Sequence, residues 1–142
     1  MINTALLVDE TYISLTCLSM GNPHAVAFVN DVDSIDLPRI GPAIENHRMF
    51  PERVNAEFVK IIDRTTLAMR VWERGCGETL ACGTGACASA AAAVICGFCR
   101  SETDIKVILP GGELTVCVMP DMSIRMSGGC VKVFDGVFDT TL

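Results

Sequence analysis

Residues 72–89, W-E-R-G-C-G-E-T-L-A-C-G-T-G-A-C-A-S, hold the turn and helix start around which the rest of the chain is organised. A strand-like run ends in Glu73 and Arg74, and spaced glycines form a turn. A helix of small residues then begins at Gly83 or Thr84. Cys82 stands where the turn hands over to the helix. A helix start exposes backbone N–H groups with about half a positive charge, so it holds anions well. The same field favours a thiolate, the reactive form of cysteine. One cysteine before one glycine would be an ordinary small hydrophobe in a packing loop. Glu73-Arg74, the glycines, Cys82 and the helix start together point to a site that holds a carboxylate or phosphate beside a sulfur.

Outward from this turn, residues 84–96 are almost wholly Ala, Cys, Ser, Gly and Val. Small side chains on every face let other backbones approach closely, so this helix is expected to be buried within a sheet, with Gly97 ending it. Upstream, residues 5–8, 12–18, 25–29, 56–62 and 64–72 have strand patterns. Downstream, residues 104–109, 113–118, 122–126 and 130–138 read as short strands of an antiparallel meander, separated by Pro and Gly turns. Asp36-Leu37-Pro38 resembles a helix start, although Gly41-Pro42 weakens the continuation. The expected architecture is α+β, a mostly antiparallel sheet wrapped around one buried central helix, and residues 1–142 are expected to form one domain.

Composition narrows the function. The chain has 142 residues and a formal net charge of −6, with mean hydropathy +0.41. No basic block suggests a nucleic-acid surface. The longest nearly apolar run, residues 86–98, is shorter than the ~20 residues of a membrane span. No basic-then-apolar leader is visible, so a cytoplasmic protein is expected. Its eight cysteines, at 17, 76, 82, 87, 96, 99, 117 and 130, then read as reduced thiols rather than a disulfide framework. Cys96 and Cys99 have C-x-x-C spacing, but no second pair follows to complete a zinc site, so packing is the better reading.

Two other places draw attention. Gly21-Asn22-Pro23-His24 lies between two strands and is hairpin chemistry, yet the stiff proline would hold the Asn22 amide and the His24 imidazole at fixed positions. Asn55 begins a strand after Phe50-Pro51-Glu52-Arg53-Val54, where it would either cap a turn or meet a ligand. His47 reads as a solvated surface residue.

These segments together resemble the diaminopimelate epimerases. The likeness rests on residues 21–26 (G-N-P-H-A-V), 50–55 (F-P-E-R-V-N), 73–86 (E-R-G-C-G-E-T-L-A-C-G-T-G-A), 109–114 (L-P-G-G-E-L) and 133–136 (V-F-D-G). The core Cys82-Gly83-Thr84-Gly85 alone is also similar to proline racemases. The resemblance implies a cofactor-independent isomerase that interconverts LL- and meso-diaminopimelate with two cysteines, one on each face of the α-carbon. Cys82 matches one of them. Gly83 and Thr84 match the cradle of the α-carboxylate, and Asn22, Asn55, Glu73 and Arg74 match substrate-contacting positions. His24 and Glu73 match residues that tune the two thiols. Cys76 departs from the pattern, where an apolar residue is expected. No metal is implied.

The likeness covers only the C-terminal half of that family's chain, and the second catalytic cysteine belongs to the other half. Two sulfurs flanking one carbon at about 3–3.5 Å each would lie roughly 6–7 Å apart. Cys87 sits ~7.5 Å further along the helix axis and on another face. Cys96 and Cys99 are at the far helix end, and the strand cysteines 17, 117 and 130 are left open. The expected partners are therefore small-molecule diaminopimelate and the N-terminal half, with room for a homodimer through an apolar face. The other readings are a proline racemase-like enzyme and a carboxylate-binding domain without chemistry. The helix start should lower the pKa of Cys82 and Glu73 should raise it; the sequence does not say which prevails.

Overall fold

The structure, a computed structural model, describes residues 1–140. Nine strands and two helices follow the chain as β1 (Thr4–Val8), β2 (Thr11–Ser19), β3 (Pro23–Phe28), α1 (Leu37–Glu45), β4 (Asn55–Asp63), β5 (Thr66–Glu73), β6 (Gly77–Thr79), α2 (Gly83–Ile95), β7 (Asp104–Leu109), β8 (Gly112–Val118) and β9 (Ile124–Gly128). They form one sheet in the order β1-β2-β3-β4-β5-β7-β8-β9, with β6 also on β5. Hairpin neighbours pair antiparallel, but β3–β4 and β5–β7 are parallel. Parallel neighbours need a crossover, and α1 and α2 provide the two. The free edge of β5 is shared: β7 pairs along Thr66–Ala68 and β6 along Val71–Glu73.

The sheet curls around α2, which touches β2, β3, β4, β5, β7, β8 and β9. Gly85, Ala86, Ala88, Ser89 and the alanines at 90–93 are all buried. The predicted helix is therefore present and enclosed, and Gly97 ends it with φ +78°. On the opposite face, α1 covers Ala25, Ala27, Ala56 and Phe58 with Leu37, Ile40 and Ile44. Strand alternation sends Val26, Val59, Leu67, Met69 and Val71 the other way, onto α2. Because both faces are covered, residues 25–28 of β3 read as a continuous apolar run.

Helix α1 runs straight through Gly41-Pro42, with Pro38 in its first turn; Asp36 occupies the N-cap position without a side-chain cap bond. A Cβ on Gly41 would fall within 2.8 Å of the Trp72 ring. The glycine that weakens the helix pattern is what lets the indole pack against it.

One expected strand is absent. Residues 130–138 leave the sheet without regular secondary structure, and Val131, Val133, Phe134, Val137 and Phe138 are exposed. Their strand-like pattern is real, but a strand needs a neighbour for its backbone groups. Within the described residues none pairs with them. No helix among these residues is long and apolar enough to cross a membrane.

Candidate active site

The site forms where the starts of β3 and β4, the end of β5 and the start of α2 converge. His24 pairs in register with Asn55, and Glu57 with Val71. With Val26 and Val71 facing α2, the two-residue period places His24, Asn55, Glu57 and Glu73 on that same side.

Cys82 is the N-cap of α2. Its Sγ accepts the Gly85 N–H at 3.3 Å and lies 3.6 Å from Thr84 Oγ1. The helical ladder starts with Ala86 N–H donating to the Cys82 carbonyl, so Gly83 and Thr84 have N–H groups without an intrahelical acceptor. From Thr84 a line of polar contacts runs inward. Asn22 Nδ2 donates to Thr84 Oγ1 at 3.4 Å, and Asn22 Oδ1 lies 3.1 Å from His24 Nε2. His24 Nδ1 lies 2.6 Å from Glu57 Oε1. Gly85 closes this line: a Cβ there would sit 3.0 Å from Glu57 Oε1 and 3.1 Å from Cys82 Sγ.

Asn55 caps two turns in the structure. Its Oδ1 accepts the Arg74 N–H at 2.8 Å and its Nδ2 donates to the Pro23 carbonyl at 2.9 Å, so this buried amide ties the 21–24 turn to the Glu73-Arg74 turn. The Arg74 guanidinium donates to the Glu52 carbonyl, and Glu73 accepts from the Thr79 hydroxyl. Cys82, Thr84, Asn22 and His24 thus form one line of contacts, and Asn55, Glu73 and Arg74 belong to the turns beside it.

Two carboxylates escaped the sequence reading. Glu57 is fully buried beside His24. Glu45, buried at the end of α1, accepts from Trp72 Nε1 at 2.7 Å, Gly75 N–H at 2.9 Å and Arg53 Nη1 at 3.2 Å, so it shapes the glycine turn from beneath. A charged residue inside a strand apolar on both faces was the available signal for Glu57. Glu45 had none, because helix ends commonly carry glutamates.

The contest over the Cys82 thiol goes to burial, which pushes its pKa above the ordinary cysteine value. The Thr84 hydroxyl and the Gly85 N–H pull down, while Glu73 and Glu57 push up. Only the thiolate reacts with alkylating agents. Raising the pH therefore increases Cys82 labelling, with its midpoint above that of an ordinary thiol. Peptide mass spectrometry after timed iodoacetamide treatment measures this, with a small free thiol as the reference. Cys82 labelling fastest of all at neutral pH would mean that the helix start prevails instead.

All eight cysteines are free. Cys87 points to Met126, Cys96 to Thr16 and Asn3, and Cys117 to Met119. Among the described residues, no second thiol is bonded to the Cys82 cluster. Nor do three or more His, Cys, Asp or Glu side chains there gather as metal ligands would.

The mixed sheet curled around a central helix has solved counterparts. A putative phenazine biosynthesis PhzC/PhzF protein from Clostridium difficile superposes with TM-score 0.55 at 17% identity, over 75% of this chain and 39% of that one. The phenazine biosynthesis PhzF-family protein of Bacillus anthracis gives 0.52 at 18%, over 80% and 38%. These share the fold. Residues 16–133 match the family model for diaminopimelate epimerase, and the chain belongs to that family. Diaminopimelate epimerase of Acetivibrio thermocellus is 51% identical over 133 residues, 93% of this chain and 47% of its own length. The Methanothermobacter thermautotrophicus enzyme is 48% identical over 141 residues, 96% and 48%. The chain spans about half the length of the curated relatives it matches.

Proposed function

We propose that this chain is the C-terminal half of a cytoplasmic diaminopimelate epimerase, and that it supplies one thiol of a two-thiol site and cannot epimerise alone. The observation that carries this reading is Cys82 capping α2, with the Thr84, Asn22 and His24 side chains linked behind it and, among the described residues, no thiol bonded to it.

Inverting a carbon centre requires a base on one face and an acid on the other. With burial raising its pKa, Cys82 rests as a thiol, the acid. A thiolate from the other half removes the α-proton, and Cys82 delivers its own proton to the opposite face; in the reverse direction the roles exchange. The free N–H groups of Gly83 and Thr84 receive the α-carboxylate and stabilise charge building up on it, which serves in place of pyridoxal or a metal. Asn22, Asn55, Glu73 and Arg74 line the approach and orient the substrate. Asn55 does so chiefly by clamping the two turns. Exposed Leu80 and Met126, and the apolar segment 131–138, are the surface offered to the other half.

The test is deuterium uptake at the α-carbon of diaminopimelate in heavy water. This chain alone should give none, and adding the N-terminal half of a close relative should restore it. Exchange by this chain alone that depends on Cys82 would refute the missing-thiol reading.

A further inference from the structure

We propose that Glu57 is a positioning residue, which together with Asn22 holds the His24 imidazole in one orientation with a proton on Nε2. The ring is gripped from two sides: Glu57 Oε1 lies 2.6 Å from Nδ1 and Asn22 Oδ1 lies 3.1 Å from Nε2. An amide oxygen only accepts, so Nε2 must donate. One further proton lies between Nδ1 and Oε1, whichever atom formally carries it. The ring therefore cannot present a bare nitrogen towards the Asn22 turn, and it cannot rotate without breaking both bonds.

A merely structural glutamate would be an odd choice here. Both partners have no solvent exposure, and Glu57 Oε2 has no hydrogen-bond partner within the described residues. Leaving a buried carboxyl oxygen unsatisfied costs free energy, and burial accordingly drives Glu57 towards its protonated form, against the pull of His24. An apolar side chain of the same size would avoid that cost. What glutamate adds is a group that hydrogen-bonds Nδ1 and exchanges a proton with it.

The charged and titratable neighbours are few. Glu73, from the end of β5, pushes the Glu57 pKa up, and both carboxylates act on Cys82 at the start of α2. Cys17, on β2, is pushed up chiefly by its own burial and only secondarily by Glu57. Gly85 leaves just enough space for the carboxyl.

The catalytic meaning rests on the half-site reading: Nε2–H, fixed as a donor, faces the turn where the other half's thiol would arrive, and the Glu57 carboxyl holds the ring from behind. The geometry of the pair does not rest on that reading.

Two-bond 1H–15N NMR of the folded full chain reads the His24 tautomer directly. The native chain should show a protonated Nε2; a neutral ring protonated on Nδ1 alone would overturn the proposal. Glu57→Gln, whose amide can still donate to Nδ1, should keep the Nε2–H form. Glu57→Leu should release the ring into a mixture of tautomers; a folded leucine variant with an unchanged, single tautomer would also overturn it. If the leucine variant does not fold, the native and glutamine spectra decide. In the enzyme reconstituted from both halves, Glu57→Leu should lower kcat by about tenfold or more while KM moves little. Native halves that show no exchange would defeat the half-site reading while leaving the NMR result standing.

Discussion

Cys82→Ser, introduced into the enzyme assembled from both halves, should slow α-hydrogen exchange of diaminopimelate by about 10²–10⁴-fold, the range a positioned acid–base group contributes. Serine is the informative replacement. Cys82 caps α2 by accepting the Gly85 N–H, and serine is among the best N-caps, so the helix start and its free N–H groups should survive. What serine lacks is a proton that can move near neutral pH, since an alkyl hydroxyl is far less acidic than a thiol. Circular dichroism and thermal unfolding should therefore match the parent while the isotope exchange collapses. A serine variant retaining exchange within about tenfold of the parent would remove Cys82 from the proton path.

The second large effect concerns Glu45, which lies outside the Cys82 cluster. Replacing it with alanine leaves Trp72 Nε1 and the Gly75 N–H without their acceptor. Hydrogen bonds to a charged group contribute about 1.5–3 kcal/mol each, and the lower end applies here because Trp72 is half-buried and Gly75 exposed. Arg53 is largely exposed, so its ion pair adds little. A loss of about 3 kcal/mol is expected, which for a chain of this size lowers Tm by roughly 10 °C. Urea unfolding of Glu45→Ala measures it, and Glu45→Gln, which keeps one acceptor oxygen, should recover part. A loss below about 0.5 kcal/mol would mean that the turn holds itself.

The central helix and its thiol cap were legible because their signal is local: small residues in a row, a glycine turn before them and Gly97 after. Most strand positions followed from apolar patterns between turn residues. Pairing was less legible. Turn signals suggest hairpins, and they say nothing of β3 finding β4 or β5 finding β7 across a helix. The segment 130–138 misled for a related reason, since β pattern reports what a segment would do with a neighbour and cannot supply one. Within the site, His24 and Asn22 announced themselves by flanking a proline. Glu57 was hidden because its partner is distant in sequence.

The two parallel pairings also set the order of events as the chain folds. β4 cannot register on β3 until residues 29–54 have been laid across one face, nor β7 on β5 until residues 74–103 have crossed the other. Closing such loops costs entropy before any contact rewards it, and sheets of this kind fold in milliseconds to seconds rather than microseconds. Ala-rich α2 is a good helix former and can take shape early, but it has almost no polar face to show water in the interval. Until the last strands close over it, the segment that will carry the site is also the one most exposed to sticking elsewhere. Chaperone dependence and low-temperature expression would bear on the yield of this protein more than its final stability does.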